Sequence, residues 1–180
     1  MLLDGELQPI TSRMGLIAAD VATVADCFQA WQNEILQGSG MRVSRRKCTL
    51  SGIEALRALP PLTSPVATRF GFFATKSKWS VYFDNSNLGT QAATVMPVMA
   101  NKLNCEGMRV VHVKQTLPSK PKKDSRGNFG ATILDVFGSD MDYKRSICAV
   151  NDGGRWVFVA SGVPYPFEVL SASGRRLNRE

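Results

Sequence analysis

Histidine is almost missing from this chain, for His112 is the only one. A Ser-His-Asp or Cys-His arrangement would have to use it, and neither a G-x-S-x-G elbow nor a nearby cysteine accompanies it. Set among valines in "GMRVVHVKQT", it reads as a structural histidine on a strand. The four cysteines, Cys27, Cys48, Cys105 and Cys148, are far apart and form no C-x-x-C pair. That spacing signals neither a zinc site nor a redox dithiol, and separate reduced thiols are expected. "DVFGSDMD", with Asp135, Asp140 and Asp142, lacks the ligand spacing of a calcium loop. No metal and no cofactor is expected. Asp84 would need a second carboxylate to act as an acid/base pair, and the sequence names none. The expectation is a protein that is not an enzyme.

Long apolar runs are missing too, since no window approaches the roughly 20 residues a membrane helix requires. "MLLDGELQPITSRMG" carries Asp4 and Glu6 and no basic region ahead of an apolar run. A signal peptide is therefore not expected, and the cytoplasm is the expected compartment.

What is present is the composition of an ordinary globular protein: 180 residues, 44% hydrophobic and 21% charged. This length suits one domain, 1–180, able to bury about 70% of its unfolded surface. "ADVATVADCFQAWQNEILQGSG" reads as a helix with Asp20 as N-cap and Val24, Phe28, Trp31 and Ile35 on one face. Gly38 and Gly40 end it. "SGIEALRAL" shows the capping-box pair Ser51 and Glu54, and Pro60 and Pro61 stop that short helix. "VATRFGFFATKSKWSVYFDNS" holds two β-rich runs around Thr75 to Lys78, a hairpin expected near the centre of a sheet. "QAATVMPVMANKLN" reads as a helix in which Pro97 demands either a start near Thr94 or a kink. "GMRVVHVKQT", "FGATILDVFG", "YKRSICAV" and "RWVFVASG" are strand candidates. Segment 117–128, with two prolines and three lysines, reads as a mobile basic loop, and 170–180 as a polar tail. The order fits an α+β domain, a mostly antiparallel sheet with about three helices packed on one side.

The most organised stretch is "AVNDGGRWVFVASGVPYPFE". Its Asn151-Asp152-Gly153-Gly154 supplies the positive backbone angles of a tight hairpin. A phosphate loop is excluded, because a β-rich run follows where a helix N-terminus would be needed. If both faces of the run from Trp156 to Val159 are buried, it is a central strand. Arg155 and Glu168 flank it, as an ion pair or facing a ligand.

Charge is uneven. Met1 to Gly38 holds five acids against Arg13, while Ser39 to Glu180 carries +11, for a net +7. Arg42, Arg45, Arg46 and Lys47, with Lys122 and Lys123 of segment 120–126, are the candidates for nucleic-acid contact. No RNP, KH, helix-turn-helix or zinc-finger signature accompanies them. An exposed, charged edge is the competing structural explanation for Arg42 to Lys47.

"KWSVYFDNSNLGT" and "NDGGRWVFVASGVPYPFE" resemble segments of uncharacterised bacterial proteins of similar size. From Phe70 to Glu168 the layout is similar to small α+β immunity proteins that accompany polymorphic toxins. The resemblance implies a non-enzymatic protein that binds and neutralises a cognate protein toxin. Asp84, Asn85, Arg155 and Glu168, in or beside the loops of the two stretches, are the candidate contacts. Many nuclease inhibitors are acidic, and this chain departs from them. Its partner should present an acidic surface, or the acidic Met1 to Gly38 segment should make the contact.

Overall fold

The computed structural model describes residues 5–50, 52–118, 124–166 and 168. Lys122, Lys123, Ser51 and the 170–180 tail lie outside them. Seven strands form one antiparallel sheet: β1 (Arg13–Ile17), β2 (Phe70–Ala74), β3 (Ser80–Asp84), β4 (Gly107–Val113), β5 (Ala131–Phe137), β6 (Tyr143–Asp152) and β7 (Arg155–Gly162). Their spatial order is β2-β3-β1-β4-β5-β6-β7. Three helices complete the expected α+β domain: α1 (Val21–Ile35), α2 (Gly52–Arg57) and α3 (Ala92–Lys102).

Asp20 starts α1 by accepting the Ala22 and Thr23 backbone N–H groups at 3.0 Å each. These bonds and the Thr23 hydroxyl hold its carboxyl below the usual aspartate range, the hydroxyl contributing most. Phe28 of α1 then meets Phe70 and Phe72 of β2 at ring distances of 4.9 and 5.1 Å. α3 lies beside α1 on the same sheet face, where Val95, Met96, Met99 and Ala100 join Ile17, Tyr82 and Phe137 in the main core. Close approach needs glycine beneath α3. A Cβ on Gly107 would stand 2.9 Å from the Met96 carbonyl oxygen, and one on Gly15 would stand 2.6 Å from the Met96 sulfur.

The third helix departs from the expected one-sided layer. Leu56 of α2 and Leu59 join Ile10 and Phe83 in a second cluster. Tyr82 belongs to the first cluster and Phe83 to the second, and successive strand side chains point to opposite faces, so α2 packs on the other side. Both faces of β3 are apolar, so both need a cover.

Three further expectations change. The β2–β3 hairpin turns where expected but sits at one margin of the sheet, with β2 outermost. α3 starts at Ala92, not near Thr94, and continues through Pro97 to Lys102. Burial of its Met96 and Met99 face offsets the one lost N–H. Finally, "RWVFVASG" is the opposite margin and not a central strand. Its apolar residues are exposed at Trp156 and Val159, so apolarity on both faces did not imply burial on both.

Candidate functional site

Asp84 and Asn85 were expected at an exposed loop, and each is 0% exposed. The Asp84 carboxylate accepts the Tyr82 hydroxyl at 2.7 Å, the Gln91 N–H at 2.8 Å and the Ser86 N–H at 2.9 Å. Asn85 accepts the Thr68 and Arg69 N–H groups at 2.9 and 3.0 Å and donates to the Pro61 carbonyl at 2.7 Å. These side chains stand in for ladder partners where β3 ends and the chain turns toward α3. Buried polar groups require such partners. The pair is architectural, and neither residue is placed to touch a partner. Burial, together with the Asp84 carboxylate, pushes the Tyr82 hydroxyl well above its ordinary range.

Glu168 also turns inward, and its ion-pair partner is Arg145, not Arg155. The Arg145 guanidinium, fully buried, donates Nε to Glu168 Oε1 at 2.8 Å and Nη2 to Oε2 at 2.5 Å. Its Nη1 donates to the carbonyls of Ser161 and Gly162 at 2.9 and 3.1 Å. Tyr165 donates its backbone N–H to the same carboxylate at 2.9 Å and its hydroxyl to Glu106 at 3.0 Å. Burial, with the neighbouring Glu106, raises the Tyr165 hydroxyl to about 12. This clasp fastens the chain after β7 back onto the sheet. A second pair, Arg109 with Asp135 at 2.7 Å, lies between β4 and β5, and Ser146 donates to Asp135 at 2.7 Å.

His112 is hydrogen-bonded through Nδ1 to Thr132 Oγ1 at 3.1 Å across the β4–β5 rung. Among the described residues, no group of three His, Cys, Asp or Glu side chains is arranged to hold a metal ion. No helix among them is long and apolar enough to cross a membrane. The four cysteines are free thiols.

The basic cluster is an extended segment, 41–50, laid along α1. Asn33 accepts the Val43 N–H at 2.9 Å, Gln29 donates to the Val43 carbonyl at 3.0 Å, and Arg45 pairs with Asp26. Arg42, Arg46 and Lys47 are exposed and form no ion pair among the described residues. Thr116 and Leu117 donate to the Asn128 carbonyl at 3.0 and 3.1 Å, closing the base of the second basic loop.

Arg155 alone of the four expected contacts is exposed, and it leads into the feature that sequence reasoning missed. On the face opposite α1 and α3, the register lines up Met14, Val110, Leu134, Ile147 and Ala160 across five strands, each half-buried. Beside them Ala149, Trp156, Val157 and Phe158 line a shallow depression. Trp156 is 54% exposed, its ring edge lying against Gly130. The signal was the run of apolar residues on both faces of β6 and β7, which reads alike for a central strand and for a contact surface. No protein-family model, curated protein or solved structure matches the chain. Function therefore rests on this geometry.

Proposed function

We propose that this is a non-enzymatic binding protein that neutralises a protein partner by direct contact, in the manner of an immunity-type inhibitor. The β5–β7 face opposite α1 and α3 makes that contact. One observation carries the reading: on that face half-exposed Trp156 and exposed Phe158 stand on β7 in line with Ala160, the residue that ends a charge-free apolar rung. Trp is enriched among the residues that dominate binding energy. A contiguous apolar patch rimmed by polar residues is the common form of an interaction site. With a net charge of +7, the molecule favours a partner whose rim is acidic.

The test is capture from the source organism with wild-type, Trp156→Ala and Arg42→Ser/Arg46→Ser/Lys47→Ser baits, each with and without nuclease. The expected result is one protein that survives nuclease treatment and binds Trp156→Ala about 30-fold more weakly. Equal retention by Trp156→Ala removes the proposed face. Arg42, Arg46 and Lys47, exposed and in no ion pair among the described residues, favour nucleic acid as a second reading. It predicts recovery of nucleic acid that the triple variant loses, with a flatter dependence on salt.

A further inference from the structure

Residues 41–50 carry no helix, strand or turn, and all of them except Val43 are exposed. They lie on the connection from α1, on one face of the sheet, to α2 on the other. Val43 is pinned to α1 at both its N–H and its carbonyl, and the Arg45 side chain is engaged by Asp26. Beyond Val43 the tether ends. From Ser44 to Leu50 no backbone group forms a hydrogen bond with any described residue. A stretch with so few ties opens without unfolding its surroundings.

Arg45, Arg46 and Lys47 stand inside that stretch. A protease of basic specificity needs an arginine or lysine side chain for a pocket that carries a carboxylate. It also needs an exposed substrate segment whose backbone can be drawn out along a strand. Both conditions hold at Arg46 and Lys47. Arg45 is engaged by Asp26, and Arg42 is followed at once by the pinned Val43. We propose that this segment is a proteolytic processing site, cut after Arg46 or Lys47 by a protease of basic specificity. The reaction is hydrolysis. The C–N bond after the basic residue breaks, water supplies the hydroxyl that makes its carbonyl a carboxylate, and the nitrogen of Lys47 or Cys48 takes the proton and becomes a free amino group.

Other exposed basic residues are poorer substrates. Lys76 and Lys78 lie in the β2–β3 turn, where the Thr75 hydroxyl donates to the Trp79 carbonyl at 2.6 Å and accepts the Ser77 N–H at 3.1 Å. Arg57 ends α2. A closed turn and a helix must open before a protease can take them. The cut leaves the domain assembled, because β1 of the N-terminal piece is hydrogen-bonded between β3 and β4 of the other. Phe28 likewise stays packed on Phe70 and Phe72. What is lost is the covalent tie between α1 and α2. This inference does not depend on the partner-binding reading, which uses the β5–β7 face.

The experiment follows new N-termini by mass spectrometry, for wild type and Arg46→Gln/Lys47→Gln. Both side chains are exposed and in no ion pair among the described residues, so the variant should fold as wild type does. In one arm the folded, full chain is digested briefly with trypsin. Chains beginning at Lys47 or Cys48 should appear before any cut after Arg57, Lys76 or Lys78. Bonds after Arg46 and Lys47 that survive until the fold is lost overturn the proposal. In the other arm both forms are expressed in the source organism and recovered. The cut form should be found for wild type and lost in the variant. Wild type recovered uncut, or a variant cut at the same place, overturns the proposal equally.

Discussion

At the residue scale, the polar side chains divide by what they do for the backbone. Asp84 and Asn85 looked like loop residues free for a ligand, because Asp-Asn-Ser-Asn is turn chemistry. Their hydrogen bonds instead satisfy N–H and C=O groups of segments 61–69 and 86–91. No pattern in the sequence tells a turn that faces solvent from one folded into the core. The Arg145–Glu168 clasp makes a sharper case, since a charged pair this deep depends on both members. Arg145→Ala strands a buried carboxylate and two carbonyls, and unfolding in urea should show a loss of about 3–5 kcal/mol. Arg155→Ala, at the exposed hairpin, should change stability by less than about 0.5 kcal/mol in the same titration.

At the element scale, the helices were legible and their placement only partly so. Asp20, the stripe of Val24 and Phe28, and the closing glycines marked α1 closely, because caps and periodicity are local physics. The Gly153-Gly154 turn was legible for the same reason. Pro97 did not delay the start of α3 to Thr94, because its cost is local, whereas the gain from burying Met96 and Met99 is tertiary. The seat of α3 also depends on a residue outside it. Gly107 of β4 lets the Met96 carbonyl approach within a Cβ's reach, and backbone, unlike a side-chain tip, cannot swing aside. Gly107→Ala should lower stability by about 1–3 kcal/mol in thermal or urea unfolding. A change below about 0.5 kcal/mol would show that α3 shifts freely on the sheet.

At the scale of the whole molecule, the positive charge has no single centre. One basic segment runs along α1, while the exposed aromatic surface lies at the far margin of the sheet, on β7. This separation makes the two functional readings independent, since removing one surface leaves the other in place. For a partner held by the β5–β7 face, raising salt should slow association through the overall +7 and leave dissociation nearly unchanged. Surface plasmon resonance or stopped flow on the captured partner separates the two rates. A dissociation rate that rises steeply with salt would point to charge pairs at the heart of the contact and away from Trp156.

Local chemistry determined the elements of this protein. A capped helix, a proline-ended short helix, a glycine hairpin and alternating β-rich runs are each set by a few neighbouring residues, and together they imply an antiparallel α+β domain. Strand order, by contrast, is a choice among distant pairings that share the same alternation. "KWSVYFD" and "RWVFVAS" are comparable apolar runs, yet β3 lies inside the sheet under two covers and β7 lies at its margin. Only tertiary structure decided which of them is core and which is surface, because burial depends on the segments that lie across a face and not on the strand itself.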